Sequence, residues 1–237
     1  MHSRHSIVIL ISTVLIMNTL LKLKKVNLKY QTGNKAIKVL RDIDLETKAQ
    51  ETISIVGESG SGKTSLIMLI AGLEKASSGN IFFEGEDIST MSEDAVSDIR
   101  RRKIGIIFQS FYLIPNYTAL ENVALTLELN RLPQPITQAK HLLERFGLKH
   151  RLHNLPSQLS GGEQQRVAIA RAIAMKPSLI LADEPTGNLD SENSKMIANI
   201  LFQYAKEEGS SLMMVTHDKQ LAKQAKRSIQ IQDGKII

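Results

Sequence analysis

The spacing of apolar and polar positions divides the chain into strand-like and helix-like segments. Apolar residues partly alternate with polar ones in Leu21–Tyr30 and in Val39–Glu46, and this two-residue period is typical of half-buried strands. Between them lies Gln31–Asn34, whose composition favours a turn. We therefore expect the chain to begin with an antiparallel pair of strands.

Short apolar runs in the rest of the chain predict further strands, which are Thr52–Val56, Ile81–Glu84, Ile104–Phe108, Leu179–Ala182 and Ser211–Thr216. The last two are continuously apolar, as in strands that are covered on both faces of a parallel sheet. At the end of the chain, Ser228–Ile231 alternates again, and the turn Asp233–Gly234 separates it from Ile236–Ile237. This pattern predicts a terminal hairpin.

Helical periodicity marks the segments between the strands, and the predicted helices are Ser65–Leu73, Thr118–Leu129, Ile136–Phe146 and Ser160–Met175. Pro133 and Pro135 separate the second helix from the third, and Gly147 ends the third. The region from about residue 110 to 160 is therefore helical and carries no strand signal. Strands that alternate with helices indicate a parallel α/β core, to which the antiparallel start and this helical insertion are attached.

Composition narrows the class of protein without deciding its function. The 237 residues are enough for one large domain or a domain with subdomains. Cysteine is absent, which excludes disulfides and thiolate metal sites. The net charge of +6 is compatible with binding nucleic acid, anionic lipid or ATP. Because tryptophan is absent and no aromatic–basic interleaving is present, we expect no nucleic-acid partner.

An apolar segment, Ile7–Met17, stands near the N-terminus. It lacks the small-residue cleavage site of a signal peptide, and it is short for a membrane span even when it is extended to Leu23. Two explanations stay open for residues 1–16: an upstream start codon that precedes the natural start, or a short apolar membrane anchor. In both cases we expect residues 17–237 to form the folded domain.

A glycine-rich loop follows the predicted strand Thr52–Val56 and precedes a predicted helix. Residues 57–64 match the phosphate-binding pattern G-x-x-x-x-G-K-[ST] in this confirming context. Glycines let backbone N–H groups wrap the phosphates, and the helix N-terminus adds partial positive charge. Lys63 places an ammonium on the outer phosphates, and Thr64 offers its hydroxyl to Mg²⁺. The candidate nucleotide-binding residues here are Gly57, Glu58, Ser59, Gly60, Ser61, Gly62, Lys63, Thr64 and Ser65.

Two carboxylates, Asp183 and Glu184, end the apolar strand Leu179–Ala182. In open α/β sheets, ligands bind at the carboxyl ends of the strands. Asp183 therefore suits the Mg²⁺ shell, through a water molecule, and Glu184 is placed to orient or deprotonate an attacking water. A strand-end acidic pair by itself is more often a helix cap. Its spacing from the phosphate loop favours the catalytic interpretation.

A second glycine-containing loop, Ser160-Gly161-Gly162, begins the last predicted helix. A helix start has free N–H groups, so it can bind an anion. Ser160 followed by Glu163 three residues later also fits a capping box, in which the two residues satisfy each other's backbone N–H groups. The two roles are compatible, because the cap would orient the loop.

The heptapeptide Leu159–Gln165, Leu-Ser-Gly-Gly-Glu-Gln-Gln, resembles the signature of the ATP-binding cassette (ABC) ATPases. The resemblance covers about residues 20–237, and the motifs occur in the order of that family. It implies a P-loop NTPase core with an N-terminal antiparallel β subdomain and an inserted α-helical subdomain at about 110–160. It also implies that ATP and Mg²⁺ are bound and that ATP is hydrolysed to ADP and phosphate.

The same resemblance implies roles for several isolated residues. Gln109 matches the Q-loop glutamine, which contacts Mg²⁺ and reports the nucleotide state to the helical subdomain. His217 matches the switch histidine that contacts the γ-phosphate, and Asp190 matches the D-loop aspartate that links the two halves of a dimer. Tyr30 matches the aromatic residue that stacks on adenine. Ser160–Gly162 corresponds to the loop that the family places on the γ-phosphate.

Longer matches point to a subfamily. Three segments look like their counterparts in the lipoprotein-releasing, macrolide-exporting and cell-division ATPases: Gly57–Lys63, Thr118–Val123 and Ala182–Asp190. Phe108–Phe111 with Leu113–Pro115 look most like the YbbA type within that group. The subfamily match implies a peripheral protein on the cytoplasmic face of the bacterial inner membrane.

The resemblance further implies that the chain drives a separate membrane permease. Two copies are expected to meet head to tail, with each ATP between Gly57–Thr64 of one copy and Ser160–Gly162 of the other. The groove near Gln109 and the helical region 110–160 is the expected docking site for the permease, with apolar contacts from Phe111–Leu113.

Two other outputs stay open: ATP-controlled assembly or force transmission without solute transport, and a soluble ABC ATPase of DNA repair or translation. The sequence does not specify a transported substrate.

Overall fold

The computed structural model describes residues 19–33 and 35–237, so the predictions for residues 1–16 lie outside the described residues. An antiparallel sheet is formed by β1 (Thr19–Thr32), β2 (Lys35–Lys48), β4 (Ser78–Phe83) and β5 (Glu86–Asp87), in the order β2-β1-β4-β5. The pairing of β1 with β2 confirms the predicted antiparallel start. The turn predicted for Gln31–Asn34 is shorter than expected, because Gln31 still pairs with Ala36 through the backbone ladder, which does not require apolar side chains.

A second sheet forms the parallel core. Its strands are β3 (Thr52–Val56), β6 (Ile104–Ile107), β7 (Leu179–Asp183), β8 (Ser211–Val215), β9 (Arg227–Gln232) and β10 (Lys235–Ile236), in the order β10-β9-β3-β8-β7-β6. The pairs β9–β3, β3–β8, β8–β7 and β7–β6 are parallel. β10 pairs with β9 in antiparallel fashion, which confirms the predicted terminal hairpin.

The central strands are buried on both faces, which explains their continuous apolar runs. On β7, Leu179 and Leu181 pack into the core that includes the antiparallel sheet, whereas Ile180 and Ala182 pack into the core of the helical side. Because successive side chains of a strand point to opposite faces, one strand serves both cores. β8 divides in the same way, and all five residues of each strand are buried.

The helices of the described chain are α1 (Lys63–Ile70), α2 (Glu93–Lys103), α3 (Ala119–Leu129), α4 (Pro135–Arg145), α5 (Gly161–Ile173), α6 (Ser191–Glu208) and α7 (Lys219–Ala222). α1 begins two residues before the prediction and ends close to Gly72, as expected. α2 is not predicted by the sequence pattern, because none of its residues is fully buried and only Val96 and Ile99 pack on the core. Its ends carry the signals that could have revealed it: the cap residue Ser92, Glu93 and Asp94 in the first turn, and a basic last turn.

The region 110–160 contains α3, α4 and the 3₁₀ turns Lys149–Arg151 and Pro156–Gln158, and no strand among its described residues. Val123, Leu127 and Leu143 of this region share one core with Ile180 of the parallel sheet. The mixed α/β architecture with an antiparallel sheet and a helical region confirms the predicted fold class. Within residues 19–33 and 35–237, no helix has the length and apolar character needed to cross a bilayer.

Candidate functional site

The phosphate loop connects the end of β3 to the start of α1, and two of its glycines are required by the local geometry. Gly57 has a φ of 154°, and a Cβ there would lie 2.2 Å from the carbonyl oxygen of Ile231. Gly62 has a φ of 106°, and a Cβ would lie 2.8 Å from Leu40 Cδ2. Both positions therefore allow the chain to turn tightly against neighbouring strands.

Gly62 is also the N-cap of α1, and it provides no side chain to accept the first N–H groups of the helix. Lys63 follows it and is only 7% exposed. The Lys63 ammonium donates to the carbonyl oxygens of Gly57 at 3.0 Å and Glu58 at 2.8 Å. The loop thus holds a buried cation beside uncapped backbone donors, an arrangement suited to phosphate.

A cavity of about 360 Å³ opens in front of this loop, within the size range of small-molecule sites. Its lining residues are Val39, Ser59, Gly60, Gly62, Lys63, Thr64, Ser65, Gln109, Asp183 and Glu184. All but Val39 belong to the predicted site. Val39 lies on β2, where its apolar side chain fitted the strand pattern and gave no separate signal of a binding role.

Asp183 is the last residue of β7 and is almost fully buried. Burial raises the pKa of Asp183, the neighbouring Glu184 charge raises it further, and the hydrogen bond to Thr64 opposes both. The Oδ1 atom of Asp183 is buried without a hydrogen-bond partner. A buried carboxylate oxygen that lacks a partner, next to a hydroxyl, fits the oxygen ligands that Mg²⁺ prefers, directly or through water.

Glu184 lies where the ends of β7 and β8 meet. Its φ is +46°, a left-handed conformation that is uncommon for a residue with a side chain, and its N–H donates to the carbonyl oxygen of Val215 at 3.1 Å. The Glu184 Oε2 atom is 3.4 Å from His217 Nδ1. The His217 side chain is 70% exposed. Strained backbone of this kind concentrates at functional sites, and here it directs a carboxylate toward the cavity.

The candidate signature loop lies at the start of α5 and forms the predicted capping box. Ser160 Oγ accepts from the Glu163 N–H at 3.3 Å, and Glu163 Oε2 accepts from the Ser160 N–H at 2.8 Å. Arg151 Nε donates to the other carboxylate oxygen of Glu163 at 2.8 Å. Arg151 was not singled out from the sequence, because a lone arginine before a turn carries no pattern.

The N-termini of α5 and α6 pack against each other. A Cβ at Gly162 would lie 2.4 Å from Asn193 Oδ1, and a Cβ at Gly161 would lie 3.5 Å from Leu189 Cδ2. Asp190 caps α6: its Oδ1 accepts from the Asn193 N–H at 2.9 Å, and its Oδ2 accepts from Asn193 Nδ2 at 2.6 Å. These bonds hold the pKa of Asp190 below its ordinary value.

Tyr30 lies at the edge of the phosphate loop and is 39% exposed. Burial raises the pKa of its phenol, as does the nearby Glu74 carboxylate, while the nearby Ser65 hydroxyl opposes them. Its proximity to Ser65 places Tyr30 near the first turn of α1. Tyr30 and His217 therefore border the cavity through their neighbours, although neither belongs to its lining.

Apart from Tyr30 and His217, the predicted site residues of the described chain fall into two groups. The phosphate loop, Gln109, Asp183 and Glu184 share one cavity. Ser160–Gly162 and Asp190 contribute nothing to that lining and instead lie together at the starts of α5 and α6. One copy of the chain therefore has a cavity at the candidate phosphate loop and a second loop that lies apart from that cavity.

Comparisons with known proteins agree with this arrangement. Residues 40–187 match the model of the family described as ABC transporter. The chain is 42% identical over 226 residues to the lipoprotein-releasing system ATP-binding protein LolD of Idiomarina loihiensis, covering 92% of this chain and 96% of that protein. It is also 42% identical over 210 residues to LolD of Pseudomonas fluorescens, covering 88% and 92%.

Solved structures show the same fold. The dimeric ATP-binding cassette MJ0796, in a post-hydrolysis state bound to ADP and phosphate, superimposes with a TM-score of 0.86 at 38% identity. A second dimeric structure of MJ0796, described as a bacterial ABC transporter cassette, gives a TM-score of 0.86 at 39% identity. Each comparison covers 92% of this chain and 96% of the other.

Proposed function

Because this chain belongs to the ABC transporter family and is an ATP-binding subunit that hydrolyses ATP, we propose that two copies enclose two ATP molecules and drive a separate membrane permease. The observation that carries this proposal is the separation of the phosphate-binding cavity from the signature loop within one chain. A loop that begins a helix and faces no phosphate of its own is explained if it contacts the ATP of a second copy.

In this proposal the phosphate loop binds the triphosphate. Backbone N–H groups at the uncapped start of α1 donate to the phosphates, and Lys63 exchanges its bonds to the Gly57 and Glu58 carbonyls for the outer phosphates. Tyr30 supports adenine from the side of Ser65. This arrangement binds the nucleotide to one copy before a second copy is needed.

Thr64, Gln109 and Asp183 would hold Mg²⁺, since they supply hydroxyl, amide and carboxylate oxygens around one cavity. Bound Mg²⁺ neutralises charge on the phosphate oxygens during the transfer to water. Glu184 accepts a proton from that water or orients it. His217, whose Nδ1 is 3.4 Å from Glu184, contacts the γ-phosphate and keeps Glu184 in place.

The signature loop completes the site in trans. Ser160–Gly162 presents the start of α5 to the γ-phosphate bound by the other copy, and Asp190 at the start of α6 lies at the same interface. The dimeric structures of MJ0796, at 38% and 39% identity over nearly the whole chain, support a dimer of this chain. Hydrolysis would remove the γ-phosphate that joins the phosphate loop of one copy to the signature loop of the other, and the two copies would separate.

The permease would dock at the groove near Gln109 and the helical region 110–160, where exposed apolar side chains are available. Tyr112 is 67% exposed and Leu129 is 62% exposed, and α2 is tied to the end of α3 by a hydrogen bond from Arg101 to the Leu129 carbonyl. Of the three contact residues expected from the sequence, Tyr112 best fits this role. Phe111 lies against Gly161, and Leu113 packs on the helical core.

The relatives named as lipoprotein-releasing system proteins favour a permease of the lipoprotein-release or macrolide-export type. The protein would then act at the cytoplasmic face of the bacterial inner membrane, bound to that permease. Copurification after mild detergent extraction tests this part. A polytopic membrane partner supports it, and copurifying nucleic acid or ribosomes would contradict it.

The composite site is tested with Glu184→Gln, a variant expected to bind ATP while its turnover falls by about 10²–10⁴-fold, as on loss of a general base. With ATP it should accumulate as a dimer in sedimentation velocity. Adding Ser160→Arg should leave ATP binding to the monomer intact and prevent that dimer. Turnover at the parent rate in Glu184→Gln would contradict the assignment of the base, and an ATP-induced dimer that survives Ser160→Arg would contradict the two-copy site.

A further inference from the structure

Asn188 and Gln109 form two hydrogen bonds with each other and so join two loops, although the two residues are 79 positions apart in the chain. Gln109 Nε2 donates to Asn188 Oδ1 at 3.2 Å, and Asn188 Nδ2 donates to the backbone carbonyl oxygen of Gln109 at 3.2 Å. The first loop follows β6 and the second follows β7. Neither the sequence pattern nor the resemblance gave Asn188 a role of its own.

The chemistry of these bonds fixes the orientation of both amides. A backbone carbonyl oxygen can only accept, so Asn188 must present its Nδ2 to the carbonyl of Gln109. The remaining Oδ1 of Asn188 also only accepts, so Gln109 must present Nε2 to it. In this orientation Gln109 Nε2 faces Asn188, and Gln109 Oε1 points away from Asn188. It is also the amide atom that can ligate a cation.

Gly187 lets the Gln109 amide lie in this position. A Cβ at Gly187 would be 2.7 Å from Gln109 Nε2, so the amide packs directly on backbone. Gln109 lines the same cavity as Thr64 and Asp183, and Asp183 Oδ1 is buried without a partner. The oriented amide therefore belongs to the group of oxygens that fits Mg²⁺.

We propose that Asn188 is a positioning residue that turns the Gln109 amide so that Oε1, and not Nε2, faces the divalent cation of bound Mg·ATP. This inference rests on the proposed function, because it takes the cavity to bind ATP with Mg²⁺. An amide that rotates freely also presents its N–H groups, which repel a cation. Groups that orient metal ligands typically change metal affinity by about 10–100-fold.

The test measures binding in the Glu184→Gln background, in which ATP persists. The ATP affinity of Asn188→Leu is measured by calorimetry in excess EDTA, and the Mg²⁺ affinity of the ATP-loaded protein is measured by titration with MgCl₂. We expect Mg²⁺ affinity to fall about 10-fold and ATP affinity in EDTA to stay at the parent value. The matched control is Asn199→Leu, at an exposed asparagine of α6 outside the cavity lining, which should change neither affinity.

A second variant separates orientation of the amide from general support of the loop. Glu in place of Gln109 presents an oxygen in either rotation, so no residue is needed to orient it. In a Gln109→Glu background, Asn188→Leu should therefore cost no Mg²⁺ affinity. An equal loss in both backgrounds would overturn the proposal in favour of loop support, and parent-like Mg²⁺ affinity of Asn188→Leu in the Gln109 background would also overturn it.

Failure of the proposed function gives a different result. If the protein with Asn188 intact does not bind ATP, or if Mg²⁺ does not strengthen that binding, the nucleotide site itself is overturned, and the role of Asn188 with it. If that protein binds Mg·ATP and Asn188→Leu has the same Mg²⁺ affinity, only the role of Asn188 is overturned.

Discussion

The chain contains two glycine-bearing loops that each lead into a helix, and the N-termini of the two helices are capped differently. At α1 the N-cap is Gly62 in a left-handed conformation, no side chain caps the helix, and the first turn carries no acidic residue. At α5 the N-cap is Ser160, which forms a complete capping box with Glu163, and Arg151 holds the Glu163 carboxylate. The first start is open and positively charged, whereas the second is already satisfied by its own side chains.

This difference in capping suggests different roles for the two loops: the phosphate loop binds ATP, and the signature loop recognises ATP that is already bound. The open N–H groups of α1 and the buried Lys63 attract phosphate without help. The start of α5 has a carboxylate in its first turn and two N–H groups already bonded, so by itself it binds an anion weakly. It is suited to recognise a γ-phosphate that another loop already holds. ATP should therefore bind first to the phosphate loop of one copy and then recruit the signature loop of the other.

The largest expected effect in this comparison is on Lys63. Lys63→Ala should lower ATP affinity about 100-fold, or about 3 kcal/mol, because it removes a charged donor to the phosphates. Equilibrium binding of ATP by the monomer measures this. Lys206→Ala, at an exposed lysine of α6, is the matched control and should bind ATP like the parent. ATP binding by Lys63→Ala at the parent level would contradict the role of the phosphate loop.

A smaller effect compares one glycine of each loop. Gly62→Ala should lower the free energy of unfolding by about 2 kcal/mol, because alanine is strained at a φ of 106° and its Cβ would meet Leu40. Gly161→Ala should leave it near the parent value, because the nearest atoms to its Cβ are 3.5 Å away. Denaturant unfolding without nucleotide measures both. Equal losses would contradict the claim that only the phosphate loop depends on a left-handed glycine.

The smallest effect concerns the cap charge at α5. Burial raises the pKa of Glu163, but the Ser160 N–H and Arg151 outweigh it and hold the pKa below its ordinary value. A carboxyl group with a lowered pKa stabilises the fold above its unfolded pKa of about 4.3, and this contribution is lost as the pH falls through the folded value. Glu163→Gln should therefore cost about 1 kcal/mol at pH 7, and the difference from the parent should shrink as acid is added.

Urea midpoints at pH 7 and at successively lower pH measure this effect. A difference between parent and Glu163→Gln that stays constant down to pH 3 would contradict a stabilising charge at the start of α5. Arg151→Met provides a second variant that leaves the capping box in place and removes only the guanidinium that donates to the Glu163 carboxylate.

Sequence patterns predicted the parallel core well, because burial on both faces leaves a direct record. All five residues of β7 and of β8 are buried. Strands that are covered on both faces need apolar side chains on both, and the resulting continuous apolar runs predict central strands. α2 left no such record, since none of its residues is buried. Two apolar residues, Val96 and Ile99, pack on the core from this helix, which is too few to give a periodic pattern, and its clearest signals are the cap and the end charges.

For the candidate site, the sequence predicts the residues of local motifs better than the residues that act through tertiary contacts. Nine of the ten residues that line the cavity are among the candidate residues of the sequence. Eight of them follow from the phosphate-loop pattern and the strand-end carboxylates, and Gln109 follows from the family resemblance alone. Val39, Asn188 and Arg151 were not assigned roles. Each acts through a tertiary contact, with the cavity, Gln109 and Glu163 respectively, and such contacts have no periodicity along the chain.

The central claim is that each ATP lies between the phosphate loop of one copy and the signature loop of the other. It is tested most directly by mixing Lys63→Ala with Ser160→Arg, both carrying Glu184→Gln, and measuring sedimentation with ATP. Each variant alone should remain a monomer. The mixture should form dimers, because one of the two sites then combines an intact phosphate loop with an intact signature loop. A mixture that sediments as monomers, at concentrations where Glu184→Gln alone is fully dimeric, would contradict the shared site.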